Sequence, residues 1–205
     1  PVFRYTYREA VIDEVLIDHE PPINIKTKLS EQGINWKAGE QVAVLNQETN
    51  TLDHFTAPDH INLEVEDFNK KVVTENFNRV VCQELARQID VPSKEKTLIF
   101  CATDQHADLV VKTLKEELVA RYGEVDDDAV VKVTSQAHQP MKLIRKFKNE
   151  SLPQIAVTVD LLTTGIDVPA ITNLVFIRRV NSRILYEQML GRATRLCPEI
   201  GKEVF

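Results

Sequence analysis

Two arginines stand three residues apart behind a glycine in the tract Tyr186-Glu187-Gln188-Met189-Leu190-Gly191-Arg192-Ala193-Thr194-Arg195. Three residues is close to one helical turn, so the spacing predicts Arg192 and Arg195 on one helix face, within reach of a single anion. A guanidinium keeps its charge and offers a rigid fork of donors, which suits a phosphate group that gains charge during transfer. The competing reading is a pair of surface arginines on an ordinary helix, and so short a motif does not separate the two by itself.

A second constellation lies upstream in Val157-Thr158-Val159-Asp160-Leu161-Leu162-Thr163-Thr164-Gly165-Ile166-Asp167-Val168-Pro169. A strand that runs into an acidic residue, two hydroxyls and a glycine places donors at the carboxyl edge of a sheet, where open α/β folds bind their ligands. Gly165 would let a phosphate approach the main chain, Thr163 and Thr164 could donate to it, and Asp167 could accept from a sugar hydroxyl. The plain alternative is a well-formed turn, with Asp160 as a cap and Pro169 stopping the element.

The elements that must carry these residues follow a regular pattern from Thr97 onward. Apolar, β-rich runs alternate with amphipathic stretches, as in a parallel sheet with helices on its faces. Strands are expected at 97–102, 130–134, 154–159 and 171–180. Thr103 or Asp104 caps a helix that runs to about Tyr122, with Ala107, Val110, Val111, Leu114 and Leu118 at spacings of three and four. A short helix is expected from Pro140 to Lys148. The favoured architecture is α/β with doubly wound topology.

Residues 64 to 90 form the longest helical candidate, with Phe68, Val72, Phe77, Val80, Val81, Leu85 and Ile89 along one broad face. Before it, Tyr5 to Leu16 reads as a short helix broken by Pro21-Pro22, and 41–45 as a strand between turns at Gly39 and Asn50. This opening is expected to be a connector with a small β element.

Composition limits the partners. The 205 residues carry a formal net charge of -6, which argues against broad electrostatic adhesion to nucleic acid, so any such contact must be local. Cys82, Cys101 and Cys197 fit no zinc spacing and read as buried thiols of a reducing compartment. No apolar run is long enough to span a membrane and no signal-peptide pattern follows Pro1, so a cytoplasmic location is expected. The start at Pro1 and the end at Phe205, just after an apparent strand begins, carry the expectation of a piece of a longer protein.

Taken in order, TLIFCAT (97–103), VTVDLLTTGIDVP (157–169) and YEQMLGRATR (186–195) resemble motifs IV, V and VI of the second RecA-like domain of superfamily 2 helicases and translocases. The opening PVFRYTYREAVIDEVLIDHEPP, the run VVTENFNRVVCQELA and KTLIFCATDQHADLVV are similar to the motor (R) subunit of type I restriction enzymes. The resemblance implies a RecA-like parallel sheet at 63–205 and a connector at 1–62 that follows a first motor domain.

It also implies roles. Arg192 and Arg195 stand where the motif VI arginines reach the γ-phosphate of ATP bound mainly on the neighbouring domain, and Gln188 stands where that nucleotide is positioned. Gly165 and Asp167 match the motif V glycine and the aspartate near the ribose. Thr163 and Thr164 stand where the loop meets the nucleic-acid backbone, with Thr103 and Ser135 as further donors to phosphate. Val159, Thr164 and Met189 depart from the pattern of RNA-directed members, so their RNA contacts do not carry over.

The sequence holds no GxxxxGK[ST] phosphate loop, no DExx or DExH tract and no convincing nuclease arrangement. The resemblance therefore implies arginines supplied to ATP and Mg²⁺ held mainly by another domain. Its implied partners are double-stranded DNA, the first RecA-like domain of the same subunit, and the modification and specificity subunits, with no membrane. Two other readings stand beside it: the second domain of another superfamily 2 DNA or RNA helicase, and a RecA-like scaffold without catalysis.

Overall fold

In the computed structural model, which describes residues 5–25, 34–36, 39, 41–46, 51–56, 61–63, 75–159, 167–178, 180 and 183–202, the chain opens on a capped helix. The Thr6 hydroxyl accepts the Glu9 amide, and the Glu9 carboxylate accepts the Thr6 amide at 2.6 Å, a reciprocal box that starts α1 (Tyr7–Ile12). Two antiparallel strand pairs follow. β1 (Ile34–Trp36) pairs with β4 (Ile61–Leu63), and β2 (Gln41–Asn46) pairs with β3 (Thr51–Thr56). The expected β element is thus larger than one strand. Leu52 and Phe55 in β3 stand three apart, a spacing that hides the period-2 signal.

α2 (Glu75–Gln88) buries Asn78, Val81, Cys82, Leu85 and Ala86. This corrects the expected face: Val80 is 50% exposed, because one residue of helical rotation swings it about 100° away from Val81. The expected start at 64, with Phe68 and Val72, lies outside the described residues. Among the described helices α3 (Asp104–Tyr122) is longer than α2, with 19 residues against 14.

β5 (Lys96–Phe100), β6 (Val130–Lys132), β7 (Ile155–Thr158) and β8 (Ile171–Phe176) form one parallel sheet in the order β6-β7-β5-β8. Alternation along β5 and β7 sends side chains to two faces. Ile99, Ile155 and Val157 meet α2 and α3, while Leu98, Phe100 and Ala156 meet Phe147 of α4 (Pro140–Asn149) and Met189 of α5 (Arg183–Ala193). Helices cover both faces, as a doubly wound sheet requires. Phe100 and Phe147 are fully buried, and truncating either to alanine should cost about 3–5 kcal/mol.

The amino edge of the sheet is stapled by two buried polar side chains. Lys96 Nζ donates to the carbonyls of Glu150, Ser151 and Pro153 at 2.7–2.9 Å, just past the C-terminus of α4, where the helix dipole favours a cation. Gln154 donates to the carbonyls of Asp90 and Ser93. Burial pushes Lys96 down to about 8. Both residues leave the opposite, carboxyl edge free to carry loops.

Candidate phosphate and nucleic-acid site

Because the four strands are parallel, the loops that follow each of them gather at one edge. Thr103 follows β5 in extended conformation, and its hydroxyl accepts the His106 amide at 3.1 Å, so it caps α3 and keeps its own proton to donate. His106 holds this loop from beneath. Its Nδ1 accepts the Ala102 amide at 3.1 Å, which leaves the proton on Nε2 to be donated to Asn78 Oδ1 at 2.8 Å. Burial lowers His106 to about 3, so it stays neutral. The sequence reading missed this residue. The available signal was a histidine beside Ala107 in the stripe of α3 that faces the core.

At the head of α3, Asp104 accepts from Lys132 at 2.7 Å and from the Thr134 hydroxyl, and Lys132 also meets Asp108 at 2.7 Å. Burial alone would raise the Asp104 carboxyl, but the Lys132 and Thr134 hydrogen bonds outweigh it and hold the group below its ordinary value. Ser135 is exposed in the loop just beyond.

β7 ends at Thr158, whose hydroxyl is buried and receives no hydrogen bond. Arg178, after β8, donates to the Val159 carbonyl at 2.9 Å and so ties the ends of these two strands together across β5. Asp160, Thr163, Thr164 and Gly165 lie outside the described residues. Asp167 is described, and Arg195 Nη1 lies 2.8 Å from its Oδ1, an ion pair without the alignment of a directed hydrogen bond. Both side chains remain about half exposed, at 45% and 49%.

The geometry around Arg195 differs from the expected single helix face. α5 ends at Ala193, so Arg195 lies past its C-terminus and is oriented by Asp167 rather than by helical phase. The turn is fixed from outside: Ile17 N–H donates to the Thr194 carbonyl at 2.9 Å, which brings the N-terminal segment against the end of α5. Lys202 Nζ donates to the Pro169 and Ile171 carbonyls, steadying the segment that carries Asp167, and burial pushes it down to about 8. Gln188 is exposed on α5, Met189 is fully buried, and the Arg192 side chain lies outside the described residues. A recess of about 550 Å³ opens beside the pair, lined by Val15, Leu16, Asp167, Pro169, Gly191, Arg195 and Leu196.

Among the described residues no group of three His, Cys, Asp or Glu could hold a metal ion, and Asp167 is matched to a guanidinium. Arg195, Asp167 and Gln188 are suited instead to a phosphate, a sugar hydroxyl and a polar edge of a nucleotide. Cys82 and Cys101 are buried, and burial pushes the first up to about 12 and the second well above its ordinary value. Cys197 corrects the expectation for all three, since it is only partly buried in the turn bridged to Lys202. Among the described residues no helix is long and apolar enough to cross a membrane.

Residues 76–197 match the helicase conserved C-terminal domain, which is more than half of the chain and includes Thr103, Ser135, Asp167, Gln188 and Arg195. This chain belongs to that family. The EcoKI endonuclease subunit of Escherichia coli strain K12, a type I restriction enzyme, is 48% identical over 209 residues, covering 100% of this chain and 18% of its own length. The corresponding EcoAI subunit of Escherichia coli is 25% identical, over 98% of this chain and 24% of its own length. The chain therefore spans about a fifth to a quarter of these relatives. A solved fragment assigned to an HsdR subunit of a type I restriction enzyme from Vibrio vulnificus is 28% identical, with a TM-score of 0.49 over 65% of this chain and 28% of that one. The family assignment rests on the sequence match.

Proposed function

We propose that this chain is the second motor domain of the ATP-dependent, DNA-translocating subunit of a type I restriction endonuclease. The observation that carries the reading is the 48% identity along the whole chain to the EcoKI endonuclease subunit. The Asp167–Arg195 pair, which joins the segment entering β8 to the turn after α5, supports it, because a half-exposed guanidinium held by a carboxylate can be presented to a nucleotide bound across a cleft. Residues 63–205 form the domain and residues 1–62 the connector from the first motor domain.

In this mechanism Arg192 and Arg195 neutralise charge on the departing γ-phosphoryl group, Gln188 and Asp167 hold polar groups of the nucleotide, and Gly165 admits the phosphates to the main chain. Mg²⁺ and most of the ATP contacts belong to the first domain. Thr103, Ser135, Thr163 and Thr164 donate to the backbone of double-stranded DNA. Closing and opening of the cleft then moves the two gripping surfaces in turn. Modification and specificity subunits complete a cytoplasmic assembly.

The test uses the full-length subunit assembled with its partners. ATP hydrolysis should depend on duplex DNA, and Arg195→Ala should abolish both hydrolysis and cleavage while the assembly still forms. Wild-type ATPase indifferent to DNA would overturn the reading.

A further inference from the structure

Several cations among the described residues are neutralised locally. Arg79 meets three glutamates, Lys132 meets two aspartates, and Lys96 and Lys202 are spent on carbonyls. The helix α4 breaks this habit. It carries Lys142, Arg145, Lys146 and Lys148 with no acidic residue between Pro140 and Asn149. Lys146 reaches Asp128 at 3.9 Å, whereas Lys142, Arg145 and Lys148 are exposed and form no ion pair among the described residues. Ile144 and Phe147 bury the opposite side, so the three free cations share the outward face at spacings of three.

We propose that this outward face of α4 is a track for the phosphate backbone of a nucleic-acid duplex, leading away from the contacts at the carboxyl edge of the sheet. The inference rests on the DNA-motor reading and extends it to a surface. Three arguments fix the occupant. In a chain of net charge -6, three adjacent unpaired cations form a local positive field, and the complementary partner is a polyanion. From Lys142 to Lys148 the helix rises about 9 Å, so the cations are spread along a line, as a duplex strand spreads its phosphate charges. Finally, α4 follows the loop that leaves β6 at the site edge, where Ser135, Gln136 and His138 are also exposed, so one backbone can run from that loop onto the helix. The contact is to phosphate alone and reads no sequence.

The test measures duplex affinity of the full-length subunit against salt concentration. The variant Lys142→Ala/Arg145→Ala/Lys148→Ala should reduce the slope of log affinity against log salt by about 2 to 3, equally for unrelated DNA sequences. If the triple variant misfolds, each single substitution should still remove about one unit. Lys112→Ala, an exposed cation on α3, should leave the slope unchanged, and Lys142→Arg should retain it. An unchanged slope with wild-type binding intact overturns this inference and leaves the motor reading standing. Failure of the wild-type subunit to bind duplex DNA at any salt overturns both. Lost subunit assembly with duplex affinity retained assigns the face to an acidic protein surface instead and also overturns it.

Discussion

Arg195 and Asp167 form an ion pair, Nη1 to Oδ1 at 2.8 Å, that joins the segment before β8 to the turn after α5. Both groups are half exposed, so the pair contributes little to stability, about 0–1 kcal/mol. Its effect is directional. It fixes where a guanidinium that lies beyond its helix points, and it leaves that guanidinium open to a competing phosphate.

The first prediction concerns that guanidinium in the full-length subunit. Arg195→Ala or Arg192→Ala should lower ATP turnover by roughly 10³-fold or more, with ATP affinity much less affected, because charge neutralisation at the γ-phosphate matters most in the transition state. Arg195→Lys should rescue poorly, since an ammonium lacks the planar fork. Steady-state kinetics and a nucleotide-binding titration check the split, and near-normal turnover in both alanine variants refutes the finger assignment.

Purified on its own, the 205-residue chain should fold without hydrolysing ATP, even with duplex DNA present. Arginines without a phosphate loop or metal carboxylates supply neither the binding nor the activated geometry. A coupled phosphate-release assay on the contaminant-free chain measures this, and DNA-stimulated turnover would contradict it.

His106 should make the fold acid-sensitive. Its folded pKa of about 3 lies below the ordinary 6.5, so the unfolded state binds a proton that the folded state refuses, and stability falls as pH drops from 6.5 towards 3. His106→Leu should be less stable at pH 7 by about 1–3 kcal/mol, because the Ala102 amide and Asn78 lose their partner. It should nevertheless show a shallower loss between pH 6.5 and 4.5. Urea melts at the two pH values decide it, and parallel slopes for the two proteins count against a neutral buried imidazole.

Lys96 predicts the opposite end of the pH scale. Burial lowers it to about 8 from 10.5, so between those values the unfolded state holds more protons and its contribution to stability rises with pH. Lys96→Met removes that rise and leaves three carbonyls without their donor, at a cost of about 1–3 kcal/mol near pH 7. Chemical melts at pH 7.5 and 9.5 should show the wild type gaining on the variant. No relative gain would mean the ammonium is not held as described.

The sequence by itself determined the sheet strands and the helices between them from Thr97 onward and singled out two candidate motifs, because local periodicity and turn residues specify elements directly. The run Leu98 to Phe100 read as a buried strand, and the cap of α3 was narrowed to Thr103 or Asp104, of which the structure selects Thr103. The hairpin partner β3 stayed hidden, since backbone pairing with β2 supplies what its side-chain pattern lacks. Tertiary structure alone decided the strand order β6-β7-β5-β8, which brings Arg178 to Val159 and Asp167 to Arg195 across long sequence separations. It also decided that Arg195 leaves the helix, because the Ile17 amide binds the Thr194 carbonyl and no spacing rule encodes a contact between residues so far apart. Buried Lys96 and His106 and partly buried Lys202 were unreadable for the same reason: each is satisfied by main-chain or side-chain groups that only folding brings within hydrogen-bond reach.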